Sequence, residues 1–176
     1  MKREAPAVNA ASLKKTAGTL VKALLRRGET LSTAESCTGG LIAKSVTDIA
    51  GSSGAFLGAC VTYTNAVKTD LLGVDPKLIA RVSEVSAECA AAMANGVRGR
   101  LGSTYALSTT GYAGPGGGNE KDPVGTVYIA LSTPHGTRCE RFEAPRGATR
   151  CGVRTAAAAR AMEMLFEAWE QEPENG

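Results

Sequence analysis

Hydrophobic positions divide the chain into alternating periods. Between Ala10 and Arg27 they fall at Leu13, Ala17, Leu20, Val21, Leu24 and Leu25, a helical spacing that Gly28 ends. The pattern turns to alternation over Glu29–Thr33, predicting a strand, then returns to helical spacing over about Gly39–Ile49. Ala55–Thr64 predicts a second strand, with Cys60, Val61, Thr62 and Tyr63 at its β-rich end. Asn65–Leu72 reads as a short helix capped by Asn65 and stopped by Gly73, and Asp75-Pro76 opens another. Ser86 caps a long Ala-rich helix to about Leu101, and Tyr105–Thr109 is a strand. Val124–Ser132 and Thr137–Phe142 alternate around Pro134-His135-Gly136 as a hairpin, and a last helix runs from about Thr149 to Trp169. Its Leu165, Phe166 and Trp169 suit either a core face or a homodimer seam.

Strands separated by helices, with one hairpin near the end, predict an α/β domain: a three-layer α/β/α arrangement around a mixed sheet. Residues 1–9 and 172–176 read as flexible tails, leaving 10–171 as one domain without internal repeat or linker. In such sheets ligands gather at strand ends, so the loops after Ser36 and after Thr110 are the natural pair to form a crevice.

Composition narrows the function. The chain has 176 residues, 43% hydrophobic and 21% charged, ordinary values for a single globular domain. A net charge of +3 without a concentrated Lys/Arg face argues against nucleic acid and suits a small anionic ligand. Four Tyr, three Phe and one Trp leave little for base stacking. No apolar run is long enough to span a membrane, and Met1–Pro6 has no apolar stretch behind its charges, so a cytoplasmic protein is expected. Five scattered cysteines without a CxxC pair predict reduced thiols rather than a disulfide or zinc framework.

Candidate chemistry centres on Thr33-Ala34-Glu35-Ser36-Cys37-Thr38-Gly39-Gly40. A serine here sits where strand becomes helix, among small residues whose backbone N–H groups suit an anion or a developing oxyanion. The same residues equally make a tight βα turn with Ser36 or Thr38 as cap. A serine nucleophile needs a base. The one histidine, His135, falls in a hairpin turn, which argues against a Ser-His-Asp triad. Tyr63, at a strand end, and Lys68, one turn into the next helix, can lean over the same crevice. Lysine titrates near 10.4 in water, so it must be desolvated to serve as a base at neutral pH. Ser12-x-x-Lys15 repeats a Ser–Lys spacing on the first amphipathic helix and reads as coincidence. The loop Gly111–Gly118 lacks the Gly-Lys-Ser/Thr ending of a P-loop and is no dinucleotide fingerprint. It is either a concavity for a phosphate or carbonyl or a plain turn. Arg146 and Arg150, around the start of the last helix, are candidates for a phosphate.

Five ordered segments together resemble the CinA C-terminal family: Thr33–Gly40, Thr47-Asp48-Ile49-Ala50-Gly51-Ser52-Ser53, Val61–Lys68, Thr110-Gly111-Tyr112-Ala113-Gly114-Pro115, and Pro123-Val124-Gly125-Thr126-Val127. The similarity extends from about Ala10 to Trp169. It implies a nicotinamide-nucleotide amidohydrolase, the enzyme that converts nicotinamide mononucleotide to nicotinate mononucleotide and ammonia. It also implies the stand-alone form, without the N-terminal domain of some members. Carried onto this sequence, Ser36 attacks the carboxamide carbon, and Lys68 takes its proton directly or through Tyr63. N–H groups of Thr38, Gly39 or Gly40, beside Cys37, hold the oxyanion. Thr110, Gly111 and Gly114 lie about the carboxamide or sugar, Arg146 meets the 5′-phosphate, and Glu35 supports from behind. Neither cofactor nor metal is implied. The chain departs from the family at Tyr112, where an aliphatic residue is usual, at Gly116-Gly117, where Asp-Gly is common, and at Thr109-Thr110, which replaces an Ile-Ser pair. Arg146–Arg150 matches the family's Gly-Asp-Arg-x-x-x-Arg run only loosely. The alternative is a catalytically silent nucleotide-binding or competence- and DNA-damage-associated module.

Overall fold

Asn9 opens the first helix, α1 (Ala10–Arg27), through a reciprocal capping box: its side chain accepts from the Ser12 N–H, and the Ser12 hydroxyl accepts from the Asn9 N–H, each at 2.9 Å. Ser12 is therefore part of a helix cap, Lys15 is exposed, and their spacing carries no chemistry. In the computed structural model, residues 8–171 are described. The expected tails at 1–7 and 172–176 lie outside the described residues, and Asn9 belongs to the helix start rather than to a tail.

The remaining elements follow the predicted order: β1 (Leu31–Glu35), α2 (Leu41–Thr47), β2 (Phe56–Val61), α3 (Asn65–Leu72), α4 (Pro76–Val82), α5 (Ala87–Leu101), β3 (Tyr105–Gly111), β4 (Thr126–Thr133), β5 (Gly136–Glu143) and α6 (Arg150–Gln171). Thr64, not Asn65, caps α3, accepting from the Val67 N–H, while Asp75 and Ser86 cap α4 and α5 as expected. The hairpin turn is Pro134-His135, with Thr133 opposite Gly136.

The sheet is mixed, in the order β2-β1-β3-β4-β5. β1 pairs parallel with β2 and β3, whereas β3–β4 and β4–β5 are antiparallel. α1, α2 and α6 cover one face and α3, α4 and α5 the other, giving the three layers. Side chains alternate between them: Leu31, Leu107, Ile129 and Leu131 enter the core under α1 and α6, while Ala34, Ala106 and Ala130 face α5. With helices on both sides, all five residues of β1 are buried, so its polar Ser32, Thr33 and Glu35 lie in the interior. Leu165 is core, and Phe166 and Trp169 pack against the same core, with Trp169 edge-on to Tyr105. No helix among the described residues is long and apolar enough to cross a membrane.

Three parallel strands end at one edge, so the residues just beyond them (Ser36 after β1, Thr62 and Tyr63 after β2, and the end of β3) come together. α3, which carries Lys68, is held close to α5 at Gly96. A Cβ there would run into the Leu72 carbonyl oxygen, which is backbone and cannot swing away. Gly96→Ala is therefore expected to lose about 1–2 kcal/mol of stability despite alanine's better helix propensity. Gly99→Ala on the same helix meets open space and should gain roughly 0.5–1 kcal/mol. Urea unfolding of the two variants checks the contrast.

Candidate active site

β1 ends in Glu35, whose carboxylate is fully buried yet well supplied with donors. It accepts from the Thr33 and Thr38 hydroxyls at 3.2 and 2.7 Å, and from the backbone N–H groups of Ile42 and Ala43 at 3.1 and 2.8 Å. The last two are orphan donors of the first turn of α2, so a strand-end carboxylate performs the capping that Gly40 cannot. Neither Ser36 nor Thr38 is the cap. Because the Thr38 hydroxyl gives its proton to Glu35, the Thr109 hydroxyl donates to Thr38 at 2.7 Å. Glycines at 39 and 40, with φ of 60° and 89°, let the chain turn back into α2.

Arg154, from α6, closes this turn from outside. Its Nε and Nη2 donate to the Thr38 carbonyl at 3.2 and 2.8 Å. A Cβ on Gly39 would press on the same guanidinium, at 3.1 Å from Nη2.

Ser36 is thereby fixed at the strand end, its N–H donating to the Thr109 carbonyl at 2.9 Å. Lys68 reaches it from α3. The residue is 1% exposed, and its amine lies 3.2 Å from the Ser36 Oγ and donates to the Thr62 carbonyl at 2.9 Å. Among the described residues no carboxylate is within ion-pair distance of it. Burial lowers its pKa from the ordinary lysine value; Cys89, Glu84 and Cys37 oppose that from nearby.

A hollow of about 180 Å³ opens above this pair, lined by Ser36, Cys37, Tyr63, Lys68, Glu84 and Thr110, with Tyr112, Ala113 and Arg150 among the others. Cys37 is buried, and that burial pushes its thiol up to about 12. Tyr63 stands at the rim, 59% exposed, and its hydroxyl accepts from Arg150 Nη2 at 2.9 Å. Arg150 Nη1 also donates to the Gly114 carbonyl at 2.6 Å, so this one guanidinium joins the ends of two loops at the mouth. The Thr110 hydroxyl donates to the Glu84 carbonyl at 2.7 Å. A larger hollow, about 750 Å³, lies among Arg27, Tyr105, His135 and Arg138, residues far along the sheet from Ser36.

Several expected residues take other places. Arg146 does not line the Ser36 hollow; it borders a separate cavity with Val124, Glu143 and Pro145. The arginine pair of four-residue spacing whose side chains reach the Ser36 turn and the mouth of its hollow is Arg150 and Arg154, one turn further along. The Gly39 N–H donates to the Ser36 carbonyl at 3.0 Å, so it is spent in the turn. Among the described residues, those of Cys37, Thr38 and Gly40 have no carbonyl partner. Gly111 is a glycine because a Cβ would strike the backbone of Thr126 and Val127 across the β3–β4 pair. Gly114 meets the site through Arg150, and a Cβ at Gly117 would press on the Tyr112 ring. Glu84 and Arg154 were not picked out by sequence pattern. Arg154 had a signal, four residues after Arg150; Glu84, in a turn between two helices, had none.

Residues 13–169 match the sequence model of the CinA C-terminal domain. A CinA-like protein of Myxococcus xanthus is 52% identical over 150 residues, 85% of this chain and 35% of that protein. One of a Cyanothece species is 54% identical over 127 residues, 72% and 30% respectively. The chain thus spans about a third of the length of these curated relatives. Among solved structures, the competence/damage inducible protein CihA of Agrobacterium tumefaciens superposes with a TM-score of 0.85 at 38% identity, covering 90% of this chain and 96% of that one. A competence-damaged protein (CinA) superfamily protein of Klebsiella pneumoniae gives 0.86 at 30% identity, covering 91% and 99%.

Replacing the Glu35 carboxylate by an amide sets an NH₂ group against donors that already face it. Glu35→Gln is expected to lose about 2 kcal/mol of stability, the scale of hydrogen bonds to a charged group. Denaturant unfolding measures that loss, and backbone amide exchange should rise first in α2.

Proposed function

The chain belongs to the CinA C-terminal domain family, and from that premise we propose that it is an amidohydrolase acting on the carboxamide of nicotinamide mononucleotide. One observation carries the reading: a buried lysine without a carboxylate partner among the described residues stands 3.2 Å from the oxygen of a strand-end serine. A solvated lysine would be a surface charge. A buried one, favoured as the neutral amine, has a lone pair for the serine proton.

In the proposed reaction Ser36 Oγ attacks the carboxamide carbon as its proton passes to the Lys68 amine. The resulting oxyanion is met by backbone N–H groups of the Cys37–Gly40 turn that are not spent on carbonyls, each worth roughly 3–4 kcal/mol. The Lys68 ammonium returns the proton to the leaving nitrogen, the C–N bond breaks, and ammonia departs. A water then attacks the acyl ester, giving its proton to Lys68, and the nicotinate nucleotide leaves as Ser36 is re-protonated. Lys68 rather than Tyr63 is the immediate base, since the Tyr63 hydroxyl is engaged with Arg150 at the rim. Arg150 replaces Arg146 as the group for the 5′-phosphate. It lies at the mouth of the hollow, where the sugar and phosphate of a ring bound over Ser36 would extend. Thr110 holds the Glu84 turn in place beside the ring.

Ser36→Ala should reduce ammonia release from nicotinamide mononucleotide by at least about a thousandfold, with the unfolding midpoint little changed. Lys68→Met should do the same, and wild-type kcat/KM should rise with pH through an acid limb below the ordinary lysine range, as loss of the lysine proton creates the base. An assay that follows ammonia and the deamidated nucleotide together tests this. Tight binding of the nucleotide without turnover would leave the protein a silent binding module and end the hydrolytic reading.

A further inference from the structure

Glu84 is the only carboxylate among the residues lining the Ser36 hollow, and the hydrolytic reaction as written does not use it. Its position is constrained rather than incidental. Thr110, at the end of β3, donates to its carbonyl at 2.7 Å, and the Ser83 hydroxyl donates to its Oε2 at 3.2 Å. Ser83 itself has φ of 75°, alone among the described non-glycine residues in adopting a left-handed backbone. An L residue adopts that conformation at a cost, and the surrounding bonds hold it: the Ser83 hydroxyl accepts from the Val85 N–H, and its carbonyl accepts from the Ser86 hydroxyl. Two tyrosines, Tyr63 and Tyr112, line the same hollow, and a Cβ at Gly117 would press on the Tyr112 ring, 3.2 Å from its Cδ1.

The charges in this space are ordered. Arg150 is positive at the rim, Glu84 is negative in the lining, and Lys68 is driven toward its neutral form by burial. A carboxylate and two π-faces attract a cation, while a guanidinium at the mouth attracts an anion. We propose that Glu84, together with Tyr63 and Tyr112, selects an amide borne on a positively charged aromatic ring, as in an N-substituted pyridinium carboxamide, over the same amide on a neutral ring. This rests on the amidohydrolase reading and assigns the residues that recognise the charge of the substrate's ring. A consequence joins recognition to chemistry. The Glu84 carboxylate, after Cys89, works against neutralisation of Lys68. A cationic ring offsets that carboxylate and itself disfavours the ammonium, so the right substrate releases the base.

The test uses Ser36→Ala protein, which binds without turnover, and two probes: oxidised nicotinamide mononucleotide, whose ring is cationic, and its reduced dihydropyridine form, whose ring is neutral. Calorimetric titration should show the oxidised form binding roughly tenfold more tightly. Adding Glu84→Gln should remove most of that preference by weakening the oxidised form alone, and adding Tyr112→Leu instead should lower it by about threefold. In turnover by otherwise wild-type protein, Glu84→Gln should raise KM for the oxidised nucleotide and move the acid limb of kcat/KM to lower pH. An oxidised-to-reduced ratio near one in the Ser36→Ala protein, or one unchanged by Glu84→Gln, overturns the proposal while leaving hydrolysis standing. Absence of both binding and ammonia release with the oxidised nucleotide overturns the amidohydrolase reading and this proposal together.

Discussion

Everything at the Ser36 edge depends on an amine kept out of water with no carboxylate among the described residues at ion-pair distance. An ammonium buried in that way costs several kcal/mol unless it is paired, and Lys68 is offered one carbonyl and one hydroxyl. The neutral amine is the state that such a place tolerates best. On the proposed reaction, the same burial that makes Lys68 a poor surface charge makes it the base, so packing and chemistry would be one requirement here. Its helix is accordingly well tied: α3 is capped by Thr64, stopped by Gly73, and seated closely on α5 where Gly96 has no side chain.

The serine end of the pair is held by two opposite charges, neither of which lines the hollow. Glu35 pulls the Thr38 hydroxyl and the start of α2 inward from the core side. Arg154 holds the Thr38 carbonyl from the α6 side. Between them the Ser36–Gly40 turn is fixed by charge-assisted hydrogen bonds, the stronger kind, which spares the hollow from supplying its own scaffold. A buried carboxylate with no cationic partner among the described residues is acceptable at Glu35 because hydroxyls and helix N–H groups supply what water would.

Much of this was legible in the chain because local signals agreed with the fold. The capping residues Asp75 and Ser86, the stops at Gly28 and Gly73, and the alternation flanking Pro134-His135 fix element order with little help from distant contacts. Ser36 and Lys68 were visible as a strand-to-helix serine and a helix lysine, and parallel β1 and β2 bring their segments together. What pattern could not give was direction across the sheet. Arg146 and Arg150 are equivalent by spacing, and only the start of α6 at Arg150 decides which of them turns toward Tyr63 and Gly114. Glycine was similarly ambiguous. Gly39 and Gly111 looked like places for a ligand to approach, whereas they admit Arg154 and the β4 backbone. Glu84 carries no periodic or capping signature, and a half-exposed carboxylate in a short turn is ordinary until its neighbours are known.

On the proposed reaction, the smallness of the hollow has a kinetic meaning. In the proposed pose the hollow of about 180 Å³ receives the reacting ring and leaves sugar and phosphate outside, at the Tyr63–Arg150 rim. Contacts made by the excluded part are the same in ground and transition states, so alone they would lower KM without speeding chemistry. They become catalytic only if they fix how the ring sits over Ser36, because a carboxamide held at attacking distance has already lost the freedom that a free amide must give up. Arg150 is placed to fix the ring in this way. It bonds at once to Tyr63 of the β2 edge and to Gly114 of the opposite loop, so a phosphate drawn to it is referred to both walls of the hollow. Removing the phosphate from the substrate should therefore reduce kcat as well as affinity, whereas a rim that merely attracted anions would change KM alone.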